Sequence, residues 1–250
     1  MKNATALKPK YGIVAMIDAL GVRNATIEES VHFIENIQKV VAGVPEFMSG
    51  YLEASKSPKK TKFETVPPAL TTFGDTVVFS WEMKPEEILD YLPDVGFFLS
   101  FAVVLGLENK MAFRGAVSLG DYIQNGSTVL GPAIADAAAW YDCPEMIGVF
   151  ATPHCGNFLS SIHQAHPLNS MEFVEYSVPL KGGASKTLWA AGWPDHLSYS
   201  DASSQEKTAT HAYYELIKKF SIPKGTEDKY FNTEKFVKWI LRSAASESTT

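Results

Sequence analysis

The run Tyr11 to Ile17 (Tyr-Gly-Ile-Val-Ala-Met-Ile) carries no charge and ends on a single carboxylate, Asp18, followed by Ala19-Leu20-Gly21. Successive side chains of a strand point to opposite faces, so an unbroken apolar run has to be covered on both. The run predicts a central strand over 11–18, and Gly21 lets the backbone turn after it. A second segment, Leu70 to Trp81, places β-branched and aromatic stretches on either side of Gly74-Asp75. This pattern predicts a hairpin over roughly 62–82. A carboxylate set in so much apolar surface is costly unless a cation or donors compensate it. If the two strands are neighbours, Asp18 and Asp75 converge and can hold one or two Mg²⁺ or Mn²⁺ ions, which prefer oxygen ligands. The plainer alternative makes Asp75 an Asx-type turn residue and Asp18 a cap of the next loop. Both aspartates occurring in such settings puts metal ahead.

With 250 residues, 46% hydrophobic and 20% charged, the chain can bury the core of one elaborated domain. A formal charge of −6 gives no overall attraction to nucleic acid or an anionic membrane. A local basic pocket for a phosphorylated small molecule remains compatible with it. Cys143 and Cys155 are the only cysteines, too few for a zinc site and in keeping with a reducing cytosol. Met1 to Lys10 lacks an apolar core, so no signal peptide is expected. The apolar stretch from Val95 to Leu107 is too short to span a bilayer and reads as a core helix. The expectation is a soluble, cytoplasmic protein with neither nucleic acid nor membrane as partner.

Thr26 is a plausible N-cap, with Glu28 and Glu29 in the first turn behind it. Ile27, Val31, Ile34, Ile37, Val40 and Val41 recur at helical spacing, predicting a helix to about residue 42. A second helical piece, 46–56, would end at the loop Ser57-Pro58-Lys59-Lys60. After the hairpin, whose start Pro67-Pro68 confines to an edge, Pro85 opens a helix to about Leu107 with an irregularity at Pro93. Met111 to Asp121 reads as a strand and 132–142 as an Ala-rich helix opened by Gly131-Pro132. A short strand over 147–151 follows, then a strand pair over 173–178 and 186–191. Helices near 206–220 and 233–243 precede a tail, 244–250, that looks disordered. The order β-α-β-β-α-β with additions predicts an α+β fold: a ferredoxin-like core with extra strands and C-terminal helices.

Five segments, in order, resemble the class III nucleotidyl cyclases: Ile17-Asp18-Ala19-Leu20-Gly21, Phe73-Gly74-Asp75, Arg114 to Gly120, Val129 to Ala137, and Leu180-Lys181-Gly182. The wording Phe113-Arg114-Gly115-Ala116 and Gly131-Pro132-Ala133-Ile134 looks more specifically like the Pycsar pyrimidine cyclases of bacterial antiphage defence. The resemblance covers residues 11–193 as a catalytic domain and leaves 194–250 as a C-terminal helical extension. It implies attack of a ribose 3′-hydroxyl on the α-phosphorus of UTP, giving 3′,5′-cyclic UMP, a second messenger, and pyrophosphate. CTP and cyclic CMP are the alternative, and a silent nucleotide-binding module is a further one. It also implies two divalent ions, Mn²⁺ or Mg²⁺, and a homodimer with active sites at the interface.

By this resemblance Asp18 and Asp75 hold both ions, with the carbonyl of Ala19 as an extra ligand. Backbone N–H groups of Leu20, Gly21 and Val22 would cradle phosphate oxygens, as Gly-containing turns into helices do. Lys181, at a hairpin tip before Gly182-Gly183, is the candidate for the terminal phosphates, its alternative being a solvated turn lysine. Arg114 lies in an apolar strand, where an unpaired guanidinium is costly. It would either pair with Asp121 or Asp136 or face the nucleotide catalytically. Thr71 and Thr128 fall at the base-reading positions, and Phe73 and Trp140 suit core or interface packing. Purine cyclases carry an Asn and an Arg where this chain has Ala135 and Ala139, neither of which can donate a side-chain hydrogen bond. That departure, with both aspartates and the lysine kept, favours another base over a dead site. Pro153-His154-Cys155-Gly156 reads as a helix entry rather than a nucleophile pair.

Overall fold

The computed structural model describes residues 7–22, 26–54, 68–169, 172–198, 209–219 and 222–247. Strand β1 (Lys10–Ala19) leads to helix α1 (Ile27–Ala54), hairpin β2 (Ala69–Phe73) and β3 (Thr76–Glu82), helix α2 (Ile88–Glu108) and strand β4 (Phe113–Asn125). Their sheet order β2-β3-β1-β4, antiparallel throughout, is the ferredoxin-like arrangement expected from the sequence. Strand β5 (Thr128–Leu130) folds back on β4, and helix α3 (Pro132–Trp140) follows. Strand β6 (Gly148–Ala151) adds in parallel beside β4. Helix α4 (Pro153–Ala165) and the pair β7 (Phe173–Pro179) and β8 (Ser185–Ala191) complete the sheet. Helices α5 (Ala209–Ile217) and α6 (Glu227–Glu247) end the described chain.

β1 is covered on both faces, as its apolar run requires. Ile13, Ala15 and Ile17 share the main core with Leu99, Val103 and Val44 of the helices, whereas Val14 packs with Val78, Tyr122, Ala133 and Ala137 on the α3 side. Thr26 and Glu29 form a reciprocal cap: the Glu29 N–H donates to Thr26 Oγ1 at 3.2 Å, and the Thr26 N–H donates to Glu29 Oε2 at 2.7 Å.

Several boundaries differ from the expected ones. α1 runs unbroken to Ala54 instead of dividing near residue 42; Pro45, in the predicted gap, is tolerated inside it. Only the second half of its apolar stripe meets the core, through Ile37, Val40 and Val44, while Ile27, Val31 and Ile34 are exposed. Residues 244–247, expected in a disordered tail, are the last turn of the C-terminal helix, while the Lys-rich loop at 57–60, Pro67 and residues 248–250 fall outside the described residues. α2 with its short 3-10 entry is, over Pro85–Glu108, long and apolar enough to cross a membrane by length and composition alone, while the stretch 95–107 within it is the core helix expected. Most of it is buried against the sheet and α1, which accounts for its composition.

Candidate active site

Directly opposed residues in a sheet share a face, and Asp18 pairs with Thr76 on one side and Arg114 on the other. All three side chains therefore stand on the face that only the short helix α3 covers. The β2–β3 hairpin closes through Gly74 and Asp75, with Gly74 at φ +60° in the first central position that a type II′ turn reserves for glycine. The turn is tied to the end of β1, because the Ala19 N–H donates to the Asp75 carbonyl at 3.2 Å. The two predicted metal aspartates thus lie side by side at adjoining strand ends.

Asp18 is buried, and Arg114 Nη2 donates to its Oδ2 at 3.3 Å, while Thr76 Oγ1 lies 3.4 Å from Oδ1. Desolvation, and next the negative charge of Asp75, hold the Asp18 carboxyl above its ordinary pKa despite the opposing pull of Arg114. Arg114 reaches on to the carbonyl of Asp142, donating from Nη1 at 3.0 Å, and its Nε is buried without a hydrogen-bond partner. The Asp142 carboxylate forms an ion pair with Lys181, whose ammonium is the first cause of its lowered pKa. One chain of contacts therefore runs Asp18, Arg114, Asp142, Lys181. Tyr141 sits within the same field: desolvation first, then the charges of Asp18 and Asp142, push its phenol up.

Arg114 pairs with neither Asp121 nor Asp136, the carboxylates that the sequence offered. Asp136 is occupied by Ser118 Oγ at 2.7 Å and Thr152 Oγ1 at 2.6 Å. Asp142 and Tyr141 went unnoticed in the sequence because their proximity depends on where α3 ends above β4, which no local pattern encodes. Among the backbone donors at 20–22, the Leu20 N–H is committed to the Ala112 carbonyl at 2.8 Å, leaving those of Gly21 and Val22 as candidates for phosphate. Ala19 to Val22 border an open cavity of about 370 Å³ that Phe33, Pro223 and Tyr230 also line. Gly21 has φ +89°, and a Cβ there would stand 2.4 Å from the Pro223 ring.

Thr71 is buried on the same sheet face, one layer from Asp18, and its Oγ1 has no hydrogen-bond partner. Thr128, in contrast, is exposed and pairs with Asn125. Asn125 lies eleven residues along β4 from Arg114, roughly 35 Å of strand. A single chain does not bring Thr128 to Asp18. Phe73 is 84% exposed, so it is not a core residue, and the Trp140 ring lies beneath Lys186 Nζ at 5.4 Å. His154 and Cys155 sit in the first turn of α4; burial pushes the Cys155 thiol far up, which excludes a ready thiolate.

Among the described residues no three His, Cys, Asp or Glu side chains cluster as a metal cage. Mg²⁺ at a phosphoryl site is commonly held by one or two carboxylates plus phosphate oxygens and water, not by a protein cage. Two adjoining carboxylates, one desolvated and repelled by the other, fit that donor set.

No protein-family model and no curated protein matches the chain. Solved structures do. The chain is similar to the adenylyl cyclase CyaB from P. aeruginosa at 10% identity, covering 74% of this chain and 95% of that one, with a TM-score of 0.45. It is also similar to the catalytic core of a rhodopsin-guanylyl cyclase with converted specificity in complex with ATPalphaS, at 12% identity, 75% and 98% coverage and a TM-score of 0.44. A third is the guanylyl cyclase Cya2, at 9% identity, 74% and 93% coverage and a TM-score of 0.41. All three are adenylyl or guanylyl cyclases. At such identities and scores, what the site does is argued from its own residues.

Proposed function

We propose that this chain is a pyrimidine nucleotide cyclase that converts UTP into 3′,5′-cyclic UMP and pyrophosphate, the product acting as a second messenger in antiphage defence. The observation that carries the reading is the convergence of Asp18 and Asp75 at adjoining strand ends, beside a half-buried arginine and within reach of a lysine relay. Residues 11–193 would form the catalytic domain and 194–250 its extension, in the cytoplasm.

Asp18 and Asp75, with the Ala19 carbonyl, would hold two divalent ions, Mn²⁺ or Mg²⁺, which when bound lower the pKa of the ribose 3′-hydroxyl and neutralise the triphosphate. The N–H groups of Gly21 and Val22 would orient phosphate oxygens. Arg114, fixed between Asp18 and the Asp142 carbonyl, supplies the charge that Ala139 cannot, facing the equatorial oxygens as negative charge builds there. Lys181 would leave Asp142 for the terminal phosphates, exchanging one anion for another. No protein nucleophile is needed, since phosphoryl transfer depends on positioning and charge.

Thr71 supports the choice of base: a buried hydroxyl with no partner in the protein is satisfied by a hydrogen bond to a ligand. Thr128 is too distant to join it from the same chain. In a homodimer with sites at the interface, it would come from the partner's strand, and exposed Phe73 beside Asp75 would be covered.

The test is incubation of the purified protein with each of the four nucleoside triphosphates and Mn²⁺. Cyclic UMP and pyrophosphate are expected from UTP; cyclic CMP from CTP would select the cytidylate reading. Absence of any cyclic product with every triphosphate overturns the enzyme. Nucleotide binding in the calorimeter that survives Asp75→Ala would then mark a silent binding module.

A further inference from the structure

We infer that helix α6 is a positioning element for the relay between Arg114 and Lys181, acting through a half-buried ion pair between Lys229 and Glu145. Lys229 is 8% exposed, and its Nζ lies 3.1 Å from Glu145 Oε2. Charges leave water at a cost that only good geometry repays. Here further hydrogen bonds surround the pair. Asn232 Nδ2 donates to the Glu145 carbonyl at 2.9 Å, and the Ile147 N–H donates to Thr233 Oγ1 at 2.8 Å. The Thr233 hydroxyl in turn donates to the Lys229 carbonyl at 2.6 Å.

On its other side the same turn grips the β7–β8 hairpin. The Glu145 N–H donates to the Pro179 carbonyl at 2.8 Å, and the Lys181 N–H donates to the Cys143 carbonyl at 2.9 Å. Pro144 and Leu180 form an isolated bridge. The turn also carries Asp142, which receives Arg114 on its carbonyl and Lys181 on its carboxylate. Segment 142–147 is therefore held between α6 and the hairpin, with both functional cations attached to it.

α6 and the hairpin tip do not close on each other directly. Between Lys181, Gly182 and Ser185 on one side and Phe231, Asn232 and Lys235 on the other lies an open cleft of about 500 Å³. α6 also packs on β7 of the hairpin directly, the Tyr176 ring lying 4.7 Å from that of Phe236 and 5.2 Å from that of Trp239, while at the tip its hold runs through Glu145. A helix outside the five resembling segments thereby sets where the phosphate-directed lysine and the transition-state arginine stand. That role of Lys181 and Arg114 rests on the function proposed above, whereas the mechanical coupling does not.

Amide hydrogen exchange on the full chain tests the coupling without turnover. In Lys229→Met the Lys181 amide is expected to exchange about tenfold faster or more, with the Val14 and Val117 amides unchanged. The KM for the triphosphate should rise about five- to tenfold with kcat changed less. Lys229→Arg should restore both, and Lys229→Met should add nothing to the KM of Lys181→Ala. An unchanged Lys181 amide in a folded Lys229→Met protein overturns the inference, as does a KM effect fully additive with Lys181→Ala. Should Lys229→Met not fold, Asn232→Ala, which deletes the bond to the Glu145 carbonyl and a long, exposed one from Lys235, is read by the same two criteria. If the unaltered protein turns over no triphosphate, the exchange result still decides the coupling, and only the proposed function falls.

Discussion

Arg114 faces Asp18 across the β1–β4 ladder, its Nη2 3.3 Å from the carboxylate and its Nη1 on the Asp142 carbonyl. Among the described residues, the guanidinium is the cation that lowers the pKa of Asp18 against burial and Asp75. Replacing it with Met should raise that pKa further, so the acidic limb of the pH–rate profile shifts to higher pH. Loss of the transition-state charge should lower kcat by about 10²–10³. Steady-state kinetics across pH on Arg114→Met and Arg114→Lys would show both effects. Lys should recover part of the rate, because it keeps the charge but not the two-point geometry.

Asp18 bears directly on stability. Its folded pKa is raised, so the folded state favours the protonated carboxyl. The unfolded chain ionises it at about 3.9. As pH rises through the window between the two values, folded stability falls, and the penalty persists at neutral pH. Asp18→Asn should therefore raise the metal-free thermal midpoint at pH 7 by about 2–4 °C. The gain should vanish below the unfolded pKa. Scanning calorimetry at two pH values measures this. Mn²⁺ should raise the midpoint of the unaltered protein and leave those of Asp18→Asn and Asp75→Asn unchanged.

Thr71 separates base reading from packing. Thr71→Val keeps the shape and deletes a buried hydroxyl that has no partner in the protein. Stability should hold or rise by up to about 1 kcal/mol. Discrimination between UTP and CTP, read as the ratio of their kcat/KM values, should fall about tenfold if the hydroxyl bonds the base. An unchanged ratio would remove Thr71 from recognition.

Gly21→Ala tests the turn after β1. At φ +89° an alanine is strained, and its Cβ would stand 2.4 Å from the Pro223 ring. A loss of about 1–3 kcal/mol in urea unfolding is expected. Pro223→Ala should relieve the clash but not the backbone strain, restoring part of the loss.

What the sequence disclosed was whatever local chemistry fixes. The double-sided apolar run marked β1, Gly74-Asp75 marked the hairpin, and Pro153 marked a helix entry rather than a nucleophile. Neighbouring placement of Asp18 and Asp75 followed from those strands pairing. The partner of Arg114 did not, since Asp142 reaches it only through the exit angle of α3. Nor did the commitment of the Leu20 N–H to Ala112, a contact between segments ninety residues apart. The length of α1 was missed because its apolar periodicity stops near residue 42, whereas the helical backbone runs on to Ala54.

Alternation along β1 divides what neighbouring residues control. Ile13, Ala15 and Ile17 point into the core beneath α1 and α2, while Asp18 turns the other way, towards the side that α3 leaves partly bare. In a deep substitution scan, positions 17 and 18 would then report on different quantities: cellular abundance at the first, and output per folded molecule at the second.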